Sequence, residues 1–322
     1  MKLCTFEVRT HLGWQRRLGL VDADGIVDLH FAVAHHLDNE RLAQALVPPS
    51  MLGLLEGGTR ALDAARKACA FLPPEMRTGK NDVTLRYNMD EVRLLTPLPD
   101  PRSLRDFYAF EAHVQRGFEK RGEPMPKEWY EIPVYYQTGH HNLIGTGQDV
   151  LWPSFTERFD YELELAVIIG REGRNIPAEQ AHEYIAGYTI LNDFSARDIQ
   201  KREMKVRLGP AKGKHWCSAL GPWMVTADEI RDPYALTMTA RVNGEEWSRG
   251  NSGDIFWKFE QMIEFLSQDD TIYPGDILGS GTVGTGCGLE LDRWVQPGDI
   301  IELEIENIGV LRNRVVRKER IC

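Results

Sequence analysis

The fold is decided by the stretch Asp160-Tyr161-Glu162-Leu163-Glu164-Leu165-Ala166-Val167-Ile168-Ile169-Gly170. Residues 161–165 alternate strictly between aromatic or aliphatic side chains and carboxylates, and the β-branched run that follows ends at a glycine. This pattern predicts a strand. Side chains two residues apart in a strand project from one face, about 6.5–7 Å apart. We therefore expect Glu162 and Glu164 to stand together, with Tyr161, Leu163 and Leu165 packed on the opposite face.

These two glutamates allow two interpretations. Adjacent carboxylates repel each other, and in a semi-buried sheet the repulsion raises one pKa unless a cation or a shared proton offsets it. For an isolated Glu-x-Glu pattern, the solvated outer face of an edge strand is the better interpretation. The acidic residues further along the chain favour the other one, in which a hard metal ion is the cation.

The composition is that of an ordinary soluble protein, with 42% hydrophobic and 27% charged residues. A length of 322 residues predicts one large domain with a smaller companion. The net charge of −10 gives no electrostatic signature for binding nucleic acid or an anionic membrane. Because no apolar run is long enough to span a bilayer and no signal-peptide core is present, we expect a cytoplasmic protein.

The five cysteines are odd in number and scattered, with no Cys-x-x-Cys pair. This pattern argues against a disulfide framework and against a zinc site, and it predicts free thiols.

The clearest boundary is the segment Thr96-Pro97-Leu98-Pro99-Asp100-Pro101, since three prolines in five residues cannot continue a helix or a central strand. We place the domain division there, with a small N-terminal domain at 1–95 and a catalytic domain at 96–322. In the first part, the pattern predicts strands at 3–8, 17–21 and 26–29, a turn at 22–25, and helices at 31–44 and 60–71.

Residues 102–121 have helical character, which would put Asp106 and His113 two turns apart on one helical face. Residues 122–154 are rich in Pro, Gly, Tyr and His, a composition typical of a loop that lines a pocket, although a packed Ω-loop is the alternative.

Asp193 follows a buried-looking strand at 186–191 and precedes a helix that the Ser195-x-x-Asp198 capping pattern starts. Functional sites are commonly built at such a junction. Two glycine patterns, at 209–214 and 279–284, resemble nucleotide-binding motifs but lack the residues or the helix that such a site needs.

The acidic candidates are Glu162, Glu164, Asp193 and Asp106, which supply only oxygen ligands. Oxygen ligation selects Mg²⁺, Mn²⁺ or Ca²⁺ over zinc, and Mg²⁺ is our expectation.

Several motifs resemble those of the fumarylacetoacetate hydrolase (fumarylacetoacetase) superfamily, in the family's order and over about residues 102–290. The matching pieces are Asp106-Phe107-Tyr108 with His113, Pro133-Val134-Tyr135-Tyr136, Tyr161-Glu162-Leu163-Glu164-Leu165-Ala166, Asn192-Asp193-Phe194-Ser195-Ala196-Arg197-Asp198-Ile199-Gln200, Gly213-Lys214, Gly221-Pro222-Trp223 and Gly281-Thr282.

The resemblance implies an α+β fold that is mostly β, with a catalytic domain of rolled mixed β-sheet, a small N-terminal α/β domain and a homodimer. It makes His113 the water-activating base, Glu290 the carboxylate that orients it and Lys214 a catalytic cation. The implied metal ligands are Asp106, Glu162, Glu164 and Asp193. The implied substrate contacts come from Tyr108, Tyr136, Arg197, Gln200 and Thr282.

The function implied is metal-dependent hydrolysis of a C–C bond in a small anionic diketo acid, an acylpyruvate or a fumarylacetoacetate-like compound. The alternatives are a metal-dependent decarboxylase, tautomerase or dehydratase of a 2-oxo acid, and a non-enzymatic metabolite-binding module. The chain departs from fumarylacetoacetases at Tyr136-Gln137-Thr138-Gly139, where they carry Tyr-His-Gly, and at Met204, where they carry a tyrosine. Their loop corresponding to residues 282–290 is also longer. Fumarylacetoacetate itself is therefore not the expected substrate.

Overall fold

The strand that carries Glu164 lies in the middle of the main sheet of the computed structural model, which describes residues 1–23 and 25–317. The strands are β1 (Lys2–Thr10), β2 (Gly13–Asp22), β3 (Gly25–Asp28), β4 (Arg86–Tyr87), β5 (Val92–Leu94), β6 (Ser103–Phe107), β7 (Tyr135–Gln137), β8 (Leu143–Ile144), β9 (Asp149–Leu151), β10 (Phe159–Asp160), β11 (Leu163–Ile169), β12 (Gly173–Arg174), β13 (Ile185–Asn192), β14 (Ser195–Ala196), β15 (Ser218–Thr226), β16 (Thr237–Val242), β17 (Glu245–Asn251), β18 (Thr271–Ile272), β19 (Asp276–Gly279), β20 (Ile300–Ile305) and β21 (Gly309–Val316).

The α-helices are fewer, and most of the early ones are short: α1 (Leu29–Leu37), α2 (Glu40–Leu46), α3 (Met51–Glu56), α4 (Gly58–Phe71), α5 (Glu111–Arg121), α6 (Arg197–Lys205), α7 (Phe259–Ser267) and α8 (Gly288–Leu291). Helix accounts for 29% and strand for 34% of the structure, which confirms the predicted α+β class with mixed sheets. Within the described residues, no helix is both long and apolar enough to cross a bilayer.

Within the described part of the chain, the main sheet has twelve strands. Their order is β4-β3-β2-β1-β15-β13-β11-β19-β6-β7, with β5 and β8 attached to β1 and β15. Most neighbours are antiparallel, but β6 runs parallel to β19. A second sheet has the order β17-β16-β20-β21-β9. Strand β1 pairs directly with β15, so strands from residues 1–95 extend the sheet of the later part of the chain. The division at 95/96 stays a prediction.

Strand β11 separates two hydrophobic cores. Its side chains at 163, 165 and 167 enter a core shared with the second sheet, while Ala166 and Ile168 enter another core beneath helices α1 to α4. Because strand side chains alternate, Glu164 and Glu162 project on the side of Ala166 and Ile168. All seven residues of β11 are buried, so the interpretation as a solvated edge strand is wrong.

The predicted strands of the first 29 residues correspond to β1, β2 and β3, and the second predicted helix corresponds to α4. The helix expected at 31–44 is two helices, because Asp38 has a left-handed backbone and the Asn39 side chain caps α2. The predicted turn at 22–25 includes Asp24, which lies outside the described residues. Four cysteines, Cys4, Cys69, Cys217 and Cys287, are free as predicted, and Cys322 also lies outside the described residues.

Residues 102–121 do not form one helix, so the shared helical face of Asp106 and His113 is wrong. Asp106 lies on β6, which pairs with the buried strand β19, and His113 lies on α5. Burying Leu104 and Phe107 in the sheet outweighs the local helical pattern.

The helix expected from Ser195 begins at Arg197 instead. Ser195 belongs to β14, and its hydroxyl donates to the Asp193 carbonyl oxygen at 3.0 Å. The Asp198 carboxylate accepts from the Thr156 hydroxyl and the Glu157 amide, so it anchors the preceding loop.

Candidate active site and metal centre

Four buried carboxylates meet at one end of the second core. Asp106 comes from β6, Glu162 directly precedes β11, Glu164 lies on β11, and Asp193 directly follows β13. One oxygen from each lies within 4.8 Å of the others, and none of the residues is more than 4% exposed. The structure thus brings together all four predicted metal ligands, although they are spread over almost ninety residues of sequence.

A glycine between the strands makes this approach sterically possible. Gly279 on β19 pairs with Asp106 on one side and with Ala166 of β11 on the other. A Cβ atom at this position would lie 2.5 Å from Asp106 Oδ1 and 2.9 Å from Glu164 Oε2. Because glycine has no side chain beyond a hydrogen atom, the space between the two carboxylates stays open, and they face each other across β19. Sequence reasoning considered Gly279 only as part of a nucleotide-like pattern and missed this role.

Two cations neutralise one side of the carboxylate cluster. Lys214 Nζ lies 2.5 Å from Glu162 Oε2 and 2.5 Å from Asp193 Oδ2, and Arg197 Nη2 lies 2.8 Å from Glu162 Oε1. Burial alone would raise the pKa of Glu162, but Lys214 and Arg197 outweigh that effect and hold it well below its ordinary value. Burial raises the pKa of Asp193, and Lys214 limits the rise.

The other two carboxylates have no cationic partner in the described structure. Among the described residues, no donor is in hydrogen-bond geometry with either buried Glu164 oxygen, and Asp106 Oδ1 accepts from the Gly281 amide at 3.2 Å. Burial, with Asp193 nearby, raises the pKa of Asp106 to about 8, and burial with Asp106 nearby raises that of Glu164 well above its usual range. Two unpaired buried carboxylates beside two paired ones fit a hard divalent cation, whose charge would satisfy the orphaned oxygens.

A histidine–glutamate pair adjoins this cluster. His113 Nδ1 donates to Glu290 Oε1, and Glu290 Oε2 accepts from the Thr285 amide. Because the Glu290 carboxylate can only accept a hydrogen bond, Nδ1 of His113 must carry the proton. In the neutral imidazole the lone pair is then on Nε2. That atom lies 4.0 Å from Glu162 Oε1, so the unprotonated nitrogen borders the carboxylate cluster. The predicted pairing of His113 with Glu290, across 177 residues, is present.

Asp160 is a residue of this site that sequence reasoning missed. Its carboxylate accepts from Arg197 Nε at 2.7 Å and from the amides of Gly288 and Leu289 at 2.8 and 3.0 Å. Asp160 therefore aligns the guanidinium that reaches Glu162 and also anchors α8, which carries Glu290 in the pair with His113. The sequence feature that could have indicated its role was its position as the first residue of the stretch Asp160–Gly170.

The residues predicted to contact the substrate lie around the carboxylate cluster, and they differ in the contacts that they already make with the protein. The Tyr136 hydroxyl donates to Asp193 Oδ2, and Gln200 Oε1 accepts from Arg197 Nη1 at 3.0 Å. Tyr108 packs edge-on against the His113 ring, 5.2 Å between centroids, and burial raises its pKa to about 12.

The Thr282 hydroxyl is held by two hydrogen bonds to the backbone of Leu163. It donates to the carbonyl oxygen and accepts from the amide, at 3.1 Å each. The Thr282 hydroxyl thus supports the start of β11. Its contact with a substrate stays a prediction.

A family model described as "Fumarylacetoacetate (FAA) hydrolase C-terminal" matches residues 103–316. The chain belongs to this family. Every residue of the carboxylate cluster and of the histidine–glutamate pair falls within the matched range, which confirms the resemblance to the fumarylacetoacetate hydrolase superfamily.

The curated relatives in the family are enzymes of more than one reaction type. Oxaloacetate tautomerase YisK of Bacillus subtilis (strain 168) is 31% identical over 306 residues, which cover 92% of this chain and 94% of the relative. Maleylpyruvate hydrolase of Aquipseudomonas alcaligenes is 31% identical over 322 residues, which cover 97% of this chain and 98% of the relative.

A solved structure of the family has the same architecture. It is maleylpyruvate hydrolase from Sphingobium sp. SYK-6 in complex with manganese(II) ion and pyruvate, with a TM-score of 0.71 and 25% sequence identity. The match covers 99% of this chain and 100% of that chain.

Proposed function

We propose that this protein is a divalent-metal-dependent hydrolase that cleaves a C–C bond in a small diketo acid of the acylpyruvate type. The observation that carries the proposal is the buried pair of His113 and Glu290 beside the four carboxylates, with Nε2 of the imidazole 4.0 Å from Glu162 Oε1. A base in this position reaches a water molecule and a substrate held at the same centre.

Asp106, Glu162, Glu164 and Asp193 would hold the cation, for which Mg²⁺ is our choice and Mn²⁺ or Ca²⁺ the alternatives. When bound, the cation supplies a Lewis acid that polarises the oxo-acid oxygens and stabilises the negative charge of an enolate. The proposal agrees with the manganese ion and pyruvate in the Sphingobium hydrolase structure.

His113 Nε2 removes a proton from water, and Glu290 stabilises the imidazolium that forms. The hydroxide attacks the carbonyl carbon distal to the pyruvate part of the substrate. The C–C bond then breaks, its electron pair stays with the departing pyruvate fragment, and that fragment takes up a proton from His113. The products are a carboxylic acid and pyruvate.

The cationic side of the cluster suits an anionic substrate. Lys214 and Arg197 lie against Glu162, where they would neutralise negative charge on the carbonyl oxygen as it develops. Gln200, Tyr108 and Tyr136 line the same region, where we expect them to orient the substrate oxygens; Thr282 would act nearby, through its place at the start of β11.

Tautomerisation of a 2-oxo acid such as oxaloacetate is the second candidate, and the relationship to oxaloacetate tautomerases favours it. The same Nε2 atom can move a proton between C3 and the oxygen on C2. This reaction needs a proton carrier but no attacking water. The decarboxylase and dehydratase alternatives have no comparable support.

The test is an assay of purified protein with Mg²⁺ on acylpyruvates and on oxaloacetate, with products identified by chromatography. We expect bond cleavage, and we expect His113→Ala to lower kcat about 10²- to 10⁴-fold. His182→Ala, an exposed histidine elsewhere on the chain, is the matched control and should leave kcat unchanged. Keto–enol exchange of oxaloacetate without any cleavage of an acylpyruvate would replace the hydrolase proposal by the tautomerase.

The homodimer stays a prediction. Sedimentation of the purified protein would measure it directly.

A further inference from the structure

A second group of potential metal ligands adjoins the carboxylate cluster. His113, Cys287 and Glu290 each offer one ligand atom, and these three atoms lie within 4.8 Å of one another. All three residues are buried, with exposures of 7%, 0% and 7%. His113 comes from α5, Cys287 directly precedes α8, and Glu290 lies on α8, so the fold brings together positions 174 residues apart in sequence.

The chemistry of this group differs from that of its neighbour. An imidazole nitrogen, a thiolate sulfur and a carboxylate oxygen are the three ligand types of zinc sites. Four carboxylates without nitrogen or sulfur suit Mg²⁺ or Mn²⁺ instead. Two adjacent sites with different donor sets can therefore select different cations from a mixture.

The Cys287 thiol is buried just before α8 and takes no part in the proposed reaction. Its sulfur makes no hydrogen bond with the described residues, and the proposed hydrolysis does not use it. Its backbone pairs with Glu162 in an isolated bridge, so the residue is a neighbour of one of the four carboxylates. Glu290 is oriented by the Thr285 amide on one oxygen, so its other oxygen stays directed at His113.

We propose that His113, Cys287 and Glu290 form a second metal site, which binds a soft divalent cation such as Zn²⁺ and thereby inhibits the enzyme. On coordination the Cys287 thiol would release its proton to solvent as its sulfur binds the cation. The imidazole would bind the same cation through its single lone pair, whichever ring nitrogen carries it. The other nitrogen then carries the proton, so His113 cannot accept one from water. The inhibitory part rests on the proposed function, whereas binding of the cation does not.

Binding is tested with Co²⁺, which adopts zinc geometries and gives a strong near-ultraviolet charge-transfer band only when a thiolate ligates it. Co²⁺ is titrated into protein saturated with Mg²⁺. We expect the band in the wild type and in Cys217→Ser, which removes another buried cysteine near Asp193. We expect no band in Cys287→Ser or in Cys287→Ala, the second variant in case one of them does not fold. A wild type without the band, or a folded Cys287 variant that keeps it, overturns the proposal.

Inhibition is tested by titrating Zn²⁺ against turnover at saturating Mg²⁺, with each variant normalised to its own rate without zinc. Cys287→Ser should require about a hundredfold more Zn²⁺ for half inhibition, since it lacks one ligand. If excess Mg²⁺ relieves the inhibition and Cys287→Ser is as sensitive as the wild type, Zn²⁺ acts at the carboxylates and the inhibitory site is refuted. If no oxo acid is turned over, the proposed function fails, while the Co²⁺ titration still reports on the site.

Discussion

At the scale of single residues, the absence of a side chain matters as much as the acidic groups themselves. Asp106 and Glu164 lie on strands separated by β19, and their carboxylates meet only because position 279 carries a hydrogen. Close approach of this kind is one of the physical reasons for glycine inside a strand. Gly279 therefore shapes the carboxylate cluster, and with it the proposed metal centre.

Gly279→Ala should weaken Mg²⁺ binding about 10- to 100-fold, because the added methyl group pushes both carboxylates out of position. The measurement is a calorimetric titration with Mg²⁺, together with thermal unfolding at saturating Mg²⁺. Gly250→Ala is the control, since its Cβ would be equally crowded, 2.6 Å from a methyl group of Val283, but by an apolar side chain. Unchanged Mg²⁺ affinity in a folded Gly279→Ala variant would contradict this role.

At the scale of elements, the start of α1 contains a buried charge. Asp28 caps the helix by accepting from the Phe31 amide at 3.0 Å, and it is completely buried, with Arg17 Nε at 3.8 Å as its cationic neighbour. Burial raises the pKa of Asp28 to about 7 despite the cap and the arginine.

The raised pKa of Asp28 predicts a pH dependence of the free energy of unfolding. A carboxyl with a raised pKa binds its proton more tightly in the folded chain, so its contribution is fully present below about pH 4 and is lost as the pH rises through about 7. Asp28→Asn keeps a capping oxygen and removes the ionisation. Between pH 4.5 and pH 8, the wild type should therefore lose stability relative to Asp28→Asn, by about 3 kcal/mol.

Urea unfolding at both pH values, with Mg²⁺ saturating so that the metal centre does not contribute, measures this difference. Asp28→Ala, which loses the cap as well, should be less stable than Asp28→Asn at both values. Parallel pH profiles for wild type and Asp28→Asn would show that Asp28 titrates normally.

At the scale of the whole molecule, the charge is unevenly distributed. The chain carries a net charge of −10, yet residues 197–214 contain seven basic and two acidic side chains. Arg197 and Lys214 reach the carboxylate cluster from this segment, and Lys201 and Lys205 on the same helix are exposed. The positive rim that Lys201 and Lys205 form on this acidic protein would attract the anionic substrate of the proposed reaction.

Reversing two charges of this rim, Lys201→Glu with Lys205→Glu, should lower kcat/KM for an anionic oxo acid about tenfold at low ionic strength. The difference from the wild type should shrink as salt is added, because screening shortens the range of the field. The matched control is Arg60→Glu with Lys67→Glu, the same change on the exposed face of α4. An equal loss in both double variants, or a loss that salt does not reduce, would contradict steering by α6.

The sequence by itself determined the strand of the two glutamates, the acidic set, the α+β class and the family. Short-range periodicity and ordered motifs carry that information, because side-chain alternation follows from local backbone geometry. The same local patterns misassigned residues 102–121 and the start of α6, where burial against distant strands outweighed helical propensity.

Only the tertiary structure decided that Glu162 and Glu164 are buried, that Gly279 separates two carboxylates, that Asp160 joins Arg197 to α8, and that Cys287 lies beside His113. The sequence argued against a zinc site because its cysteines are scattered, but ligands far apart in the chain become neighbours when strands pair. Contacts of this kind depend on the register between distant strands and on the space between them. No local pattern of residues contains that information, which is set when the two cores pack on either side of β11.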